Sequence, residues 1–307
     1  MPAHLINTKQ IDRAWMEGKL FPLAEKLRET ESAREVRNNS PHLAGRALYC
    51  LFYEPSFLTR TSFERAMSLL GGHVQFTEDA SQFFPVQSTS YIEDTIKFLG
   101  HLHFDCVVLR SSQPNAAQAA AGAEVLSVIN GGSDTDHPTQ ALLDMYTLQR
   151  ELGGADGLTI AVVGRVDHRN VNALLVALAM YRDVTVVLCP FTGQPDPEVL
   201  EYCQATGMSI RLEQTLTPFA DSLDAVYLNG AETAAHMQLL RARNLVTVRI
   251  DRELMGLLKP HCVILDPMQR TEPLITDNAD ARWAGYRQAE NGLFVRMALL
   301  LDLLSDS

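Results

Sequence analysis

Positive charge is scarce in this chain. Its 26 lysines and arginines face 37 acidic residues, a formal net charge of −11 over 307 residues. Nucleic acid demands a basic face, so it is not an expected partner. A small anion remains possible, because it answers to a few local cations. The candidates are Arg60, Arg110, Arg169, Arg270 and Arg296. Cysteine is sparse as well: five residues, at positions 50, 106, 189, 203 and 262, odd in number and without metal-ligand spacing. They read as buried thiols of a reducing compartment, which predicts a cytoplasmic protein. No uninterrupted apolar stretch approaches the roughly 20 residues that span a bilayer, so no membrane is expected. The start, Met1-Pro-Ala-His-Leu-Ile-Asn7, has no basic region leading into an apolar run, and no signal peptide is expected. Gly164 follows an apolar run, yet no Gly-x-Gly-x-x-Gly surrounds it, which argues against a dinucleotide site.

What is present is an alternation. Apolar, β-rich runs at Ala47–Phe52, Val74–Phe76, Asp105–Leu109 and Val125–Ile129 are separated by helical periodicity at Thr59–Leu70, Tyr91–Leu99 and Pro114–Ala121. Strands at Leu158–Val163, Asp183–Leu188, Ser209–Leu212, Ala225–Leu228 and Val263–Leu265 repeat the pattern. Their helices are expected at Asn170–Tyr181, Pro197–Thr206 and Leu254–Leu258. Continuous apolar strands between helices predict an α/β protein of two domains, each a mostly parallel sheet flanked by helices. A long helix, Pro138–Leu152, ending at Gly153-Gly154, is the expected domain crossing. A last helix is expected over Leu293–Leu304. The domains are placed at 1–137 plus 290–307 and at 138–289.

Two segments carry chemistry. Phe52-Tyr-Glu-Pro-Ser-Phe-Leu-Thr-Arg-Thr-Ser-Phe-Glu64 reads as a strand end, a turn at Pro55 and a helix opening on Ser56 and Thr59. Such a helix start aims several backbone N–H groups and a positive dipole end at one spot, which suits a phosphate. In His137-Pro-Thr-Gln-Ala-Leu-Leu-Asp144, His137 and Gln140 stand three apart at a helix start and project toward one region. Pro138 fits the first helical position, where its missing N–H costs nothing.

The first segment resembles the phosphate-binding signature of the aspartate/ornithine carbamoyltransferases, Ser-Thr-Arg-Thr-Arg followed by Ser-Phe-Glu. The second resembles their His-Pro-x-Gln-x-Leu-x-Asp motif, closest to the aspartate branch. Val108-Leu-Arg110, Arg169, Asp266-Pro-Met-Gln-Arg270 and Asn291-Gly-Leu-Phe-Val-Arg296 fall in the family's order, so the resemblance covers about Lys9 to Leu304. It implies the carbamoyltransferase fold and transfer of a carbamoyl group from carbamoyl phosphate to an amine. Thr59, Arg110 and His137 match the positions that gather the carbonyl's negative charge. Ser56, Phe57, Leu58, Thr59, Arg60 and Arg110 fall at the phosphate, and Gln140 with the carbonyl of Pro267 at the carbamoyl NH₂. Arg169, Glu232, Met268 and Gln269 match acceptor-binding positions. The resemblance implies no metal and no organic cofactor, since positioning and charge stabilisation can carry the reaction. It also implies a homotrimer or a multiple of one, with the aromatic loop at Phe83-Phe84 as the candidate for the interface.

The pattern departs from the family at three places. Leu58 stands where the signature has its middle arginine. Gln87 and Ser88 fall where a neighbouring subunit's lysine is expected. Gly230 and Glu232 replace an arginine and a glutamine that take the carboxylates of aspartate. The ornithine branch's Ser-Met-Gly loop is missing too. These departures predict an acceptor that is neither aspartate nor ornithine. Two other readings stay open: a degenerate homologue serving as a structural or regulatory partner, and a same-fold transferase with a less anionic donor.

Overall fold

The computed structural model describes residues 4–32, 42–77, 79–82, 88–230, 233–245, 248–268 and 274–305. The chain divides into two compact units, Met1–Leu142 with Asn291–Ser307, and Leu143–Glu290.

Unit 1 is built on five parallel strands: β1 (His4–Leu5), β2 (Ala47–Phe52), β3 (His73–Thr77), β4 (Cys106–Arg110) and β5 (Ser127–Asn130). Their order in the sheet is β1-β5-β4-β2-β3. Strand β4 is buried throughout, as an apolar run covered on both faces must be, whereas edge strand β3 is mostly exposed. The helices begin with α1 (Arg13–Trp15), which passes through a π-helical turn at Met16–Leu20 into α2 (Phe21–Ser32). They continue with α3 (Phe57–Leu69), α4 (Thr89–His101) and α5 (Ala116–Gly122). Helix α4 buries Ile92, Ile96 and Leu99, spaced four and three apart, in a cluster with Leu51, Val107 and Leu109 of the sheet. Each such side chain contributes about 1.5–3 kcal/mol on burial. Helix α5 presents Ala116 and Ala120 to the same cluster.

Unit 2 repeats the scheme with β6 (Thr159–Arg165), β7 (Thr185–Thr192), β8 (Ser209–Leu212), β9 (Ala225–Asn229) and β10 (Val263–Leu265), ordered β10-β9-β6-β7-β8. Helix α6 (Pro138–Leu152) contains the division between the units, and Gly153 N donates to Gln149 O at its end. It is followed by α7 (Arg169–Leu178), α8 (Pro197–Ala205), α9 (Ala234–Ala242), α10 (Arg252–Leu257) and α11 (Gly285–Leu304).

Helices α1 and α2 fall where no element was expected, and three further differences have physical reasons. The two residues of β1 are too few to carry a period. Helix α9 opens on Ala234-Ala-His236, a weak apolar pattern, with its start fixed by the Thr233 hydroxyl accepting from His236 N. Helix α11 starts eight residues before the expected Leu293, because the turn signal Asn291-Gly292 is overridden by tertiary contacts. Asn291 is fully buried, its Oδ1 accepts from Arg28 Nη2 at 2.6 Å, and that guanidinium lies over the Phe294 ring.

All five cysteines are buried, none in a disulfide, and burial pushes Cys189 and Cys262 up to about 12. No helix among the described residues is long and apolar enough to cross a membrane.

At the amino edge of the second sheet, the Asp224 carboxylate accepts from Lys259 Nζ at 2.7 Å and from Thr159 N at 2.9 Å. Burial works to raise this carboxyl, but Lys259, Thr159 and His261 together hold it below its ordinary value. A group depressed in the folded state contributes stability above its unfolded pKa and loses it as pH falls through the folded value. Asp224→Asn should therefore lower the unfolding midpoint at pH 7. Its deficit against the parent protein should shrink from about pH 4 downward. Denaturant titrations at stepped pH would check this, and a deficit independent of pH would remove the carboxylate as the cause.

Candidate active site

In unit 1 the chain passes from β2 to the neighbouring β3 and then returns across β2 to β4, continuing outward to β5. The order of the strands thus reverses between β2 and β4. In open parallel sheets the connections at such a point lead to opposite sides and leave a crevice beyond the strands' carboxyl ends. The residues at that edge are those singled out from sequence.

After β2, the turn ends at Ser56, which precedes helix α3 in an extended conformation (φ −150°) without a side-chain cap. The Arg60 N–H is taken by Ser56 O, which leaves the N–H groups of residues 57–59 facing out of the first turn. Phe57 and Leu58 are 75% and 41% exposed, while Thr59 is buried. The Arg60 guanidinium lies 3.2 Å from Glu64 and over the Phe76 ring.

Arg110 ends β4, paired in register with Phe52 of β2, and is buried. Its Nη1 donates to Gly131 O at 3.2 Å. The following glycine is required by its backbone: Gly132 sits at φ +121°, and a Cβ there would also stand 2.7 Å from Arg110 Nη1 and 3.4 Å from His137 Cδ2. His137 and Gln140, both buried, enter from the start of α6. The imidazole is held between two hydroxyls, Thr59 Oγ1 at 3.5 Å from Nε2 and Thr139 Oγ1 at 3.4 Å from Nδ1. A separation of 3.5 Å is the outer limit of a hydrogen bond, so hydroxyl and imidazole can both turn to a third oxygen. Thr59, Arg110 and His137, scattered over 79 positions of the sequence, therefore meet at the carboxyl edge of one sheet.

Unit 2 has its own reversal. The chain runs β6, β7, β8 and then crosses back to β9 on the other side of β6. Arg169, buried at the start of α7, follows β6, and Gly230 follows β9. The α7 cap is His168, whose Nδ1 accepts from Asn170 N. Pro267 and Met268 are half-buried beyond β10. Their turn is shaped by Asp266, whose Oδ1 accepts from Met268 N at 2.8 Å and whose Oδ2 accepts from Trp283 Nε1. The Gln288 amide accepts from Asp266 N and donates to Asp144, fastening the same turn. Gln288 and Trp283 carry no local signal in the sequence, because their partners lie 17 or more positions away.

Glu232, Gln269 and Arg270, the aromatic loop at Phe83-Phe84, and Gln87 lie outside the described residues. Ser88 precedes α4, with its hydroxyl 2.9 Å from that of Ser90.

Comparison with known proteins agrees with this layout. Residues 3–150 match the model of the aspartate/ornithine carbamoyltransferase carbamoyl-P binding domain, and residues 156–303 match that of the Asp/Orn binding domain. The chain is 36% identical to the chloroplastic aspartate carbamoyltransferase of Arabidopsis thaliana, covering 98% of this chain and 77% of that one. It is 32% identical to the aspartate carbamoyltransferase catalytic subunit of Methanococcus vannielii, covering 99% and 98%. Among solved structures, Trypanosoma cruzi aspartate transcarbamoylase in complex with N-(phosphonacetyl)-L-aspartic acid superposes with a TM-score of 0.87 at 30% identity, covering 98% and 95%. The M. jannaschii catalytic subunit gives 0.85 at 28%, covering 99% of each chain. Two reversed parallel sheets, a helix start at Ser56 and a His-Pro-x-Gln turn over one carboxyl edge, matched over nearly the whole length, place this chain in the aspartate/ornithine carbamoyltransferase family.

Proposed function

We propose that this protein transfers the carbamoyl group of carbamoyl phosphate to an amine, as a homotrimer or a multiple of one. The observation that carries the reading is the convergence of Thr59, Arg110 and His137 beside the open first turn of α3. That turn and its dipole, equivalent to roughly half a positive charge, suit the phosphate. As a neutral amine attacks, negative charge gathers on the carbonyl oxygen, and three donors fixed beforehand lower that barrier without reorganising. Gln140 orients the carbamoyl NH₂, and the phosphate leaves toward the helix start. The exposed Phe57, Leu58 and Phe76 of unit 1 support burial of this surface by a second copy.

On the acceptor, relatives and residues point different ways. The relatives named above are aspartate carbamoyltransferases, and their names give no support to another acceptor. Gly230, without a side chain, offers nothing to a second carboxylate, and Arg169 can serve one. The finer reading is an amine bearing at most one carboxylate. The exposed Leu58 also favours a second reading, a scaffold that has lost turnover.

The test is formation of ureido product from carbamoyl phosphate by the purified chain, with aspartate, ornithine and monocarboxylate amines compared. Product is expected with a monocarboxylate amine, and His137→Ala should cut kcat roughly 10²–10³-fold. Efficient turnover of aspartate would overturn the acceptor assignment. Silence across the panel, with no thermal stabilisation by carbamoyl phosphate, would leave the scaffold.

A further inference from the structure

Next to His137 stands a carboxylate that the transfer chemistry does not use. Asp136 accepts at Oδ1 from His137 N (2.8 Å) and from the Thr8 hydroxyl, and at Oδ2 from Thr8 N (2.7 Å). Its own backbone closes a turn with Ser133, whose N donates to Asp136 O at 2.8 Å and whose hydroxyl accepts from Asp136 N at 3.0 Å. Three donors from two distant segments thus meet on two oxygens. A second tie runs parallel to the first. Buried Asn130 donates from Nδ2 to Ile6 O (3.0 Å) and accepts at Oδ1 from Gly132 N (2.8 Å). Gly132 is the residue with no room between its Cα and the Arg110 guanidinium.

Both ties end on one short stretch, residues 4–10, which is itself held firmly. His4 and Leu5 pair with Val128 and Ile129, and His4 Nδ1 accepts from Val128 N. Asn7 and Gln10 form a reciprocal cap around the turn Thr8–Gln10, with Asn7 Oδ1 accepting from Lys9 N and Gln10 Oε1 from Asn7 N. Thr8 is buried. The carboxylate is costly where it sits: burial raises the Asp136 carboxyl, against the hydrogen bonds from Thr8 and His137 and the charge of Lys9. Its return is acceptor capacity, since an amide or a methyl could not serve three donors at once.

We propose that the amino-terminal segment is a positioning element for the carbonyl-polarising groups, Thr8 acting through Asp136 on His137 and Ile6 acting through Asn130 and Gly132 on Arg110. Neither Asp136 nor Asn130 touches substrate in this account. They set where imidazole and guanidinium stand before substrate arrives, the condition under which fixed donors are most effective. The assignment of His137 and Arg110 rests on the carbamoyl-transfer reading; the mechanical coupling does not.

The experiment compares Thr8→Val, Thr8→Ser and Asp136→Asn with the parent full-length chain. Amide hydrogen exchange is read by mass spectrometry on the segments 4–10 and 130–140, and inorganic phosphate binding by calorimetry. Valine keeps the shape of threonine without its hydroxyl. Thr8→Val should speed exchange in 130–140 at least tenfold and weaken phosphate binding several-fold, with a fall of only a few degrees in melting temperature. Thr8→Ser should behave as the parent, and Asp136→Asn should reciprocally loosen 4–10. Where turnover is measurable, Thr8→Val should lower kcat more than it alters the acceptor KM. Exchange in 130–140 identical in valine and serine variants would overturn the proposal, leaving the segment as a simple edge strand. Coupled exchange without turnover in the parent protein would retain the coupling and remove only the transfer reading.

Discussion

Gly164→Ala should cost unit 2 about 3–5 kcal/mol, a large share of the roughly 5–15 kcal/mol that stabilises an ordinary domain. Gly164 stands at the end of β6 with φ +111°, and an added Cβ would lie 2.1 Å from the Asn229 carbonyl oxygen and 2.9 Å from its carbonyl carbon. The obstacle is backbone, so no side chain can swing aside. Relief would require parting β6 from β9, which are paired at this position; on the other side of β6 the register with β7 shifts between Gly164 and Arg165. The positive φ adds a strain of order 1–3 kcal/mol that an L side chain cannot avoid there. Chemical denaturation of the purified variant should show an early transition, with the unit 1 transition unmoved. A loss below about 1 kcal/mol would mean that the two strands separate cheaply, and that the sheet edge beside Arg165 and Gly230 is soft.

Leu58→Arg should tighten binding of inorganic phosphate and carbamoyl phosphate by roughly ten- to a hundredfold, from one charge-assisted contact of about 1.5–3 kcal/mol. Leu58 is 41% exposed on the first turn of α3, beside buried Thr59, so an arginine there displaces no core. The nearest cation in sequence, Arg60, is already engaged by Glu64 and stacked over Phe76. Because the substituted side chain starts exposed, stability should move by no more than about 0.5 kcal/mol. Calorimetry at two salt concentrations checks both the size and the electrostatic origin of the gain, which should shrink as salt rises. An unchanged dissociation constant would place residue 58 away from the phosphate and weaken the argument drawn from its departure. It would also strip the scaffold reading of its chief support.

Much of the fold was legible because both sheets are parallel. Strands buried on two faces must be apolar throughout, so Ala47–Phe52 and Val263–Leu265 stand out with correct limits. Helix α6 was equally plain, from Pro138 at its first position to the glycines beyond Leu152. Elements stabilised by distant partners were not. Strand β1 exists through Val128 and Ile129, and the early start of α11 is fastened by Arg28. The site followed the same division. Ser56, Thr59, His137 and Gln140 declare themselves at helix starts, where local chemistry limits the choice of residue. Asp136, Asn130 and Gln288 are ordinary letters until the fold brings them partners from far along the chain.

The amino-acid sequence by itself determined the alternation of strand and helix and the two motifs, at Ser56–Glu64 and His137–Asp144, that resemble the family's. Both are local: residue type and short-range spacing record them. Tertiary structure alone decided the strand orders, with their two reversals, and so which loops share a crevice. It also decided the tie between residues 4–10 and His137. The physical reason is separation: the Thr8–Asp136 contact joins residues 128 positions apart, and no local pattern records a hydrogen bond whose partner arrives only when the sheet is complete.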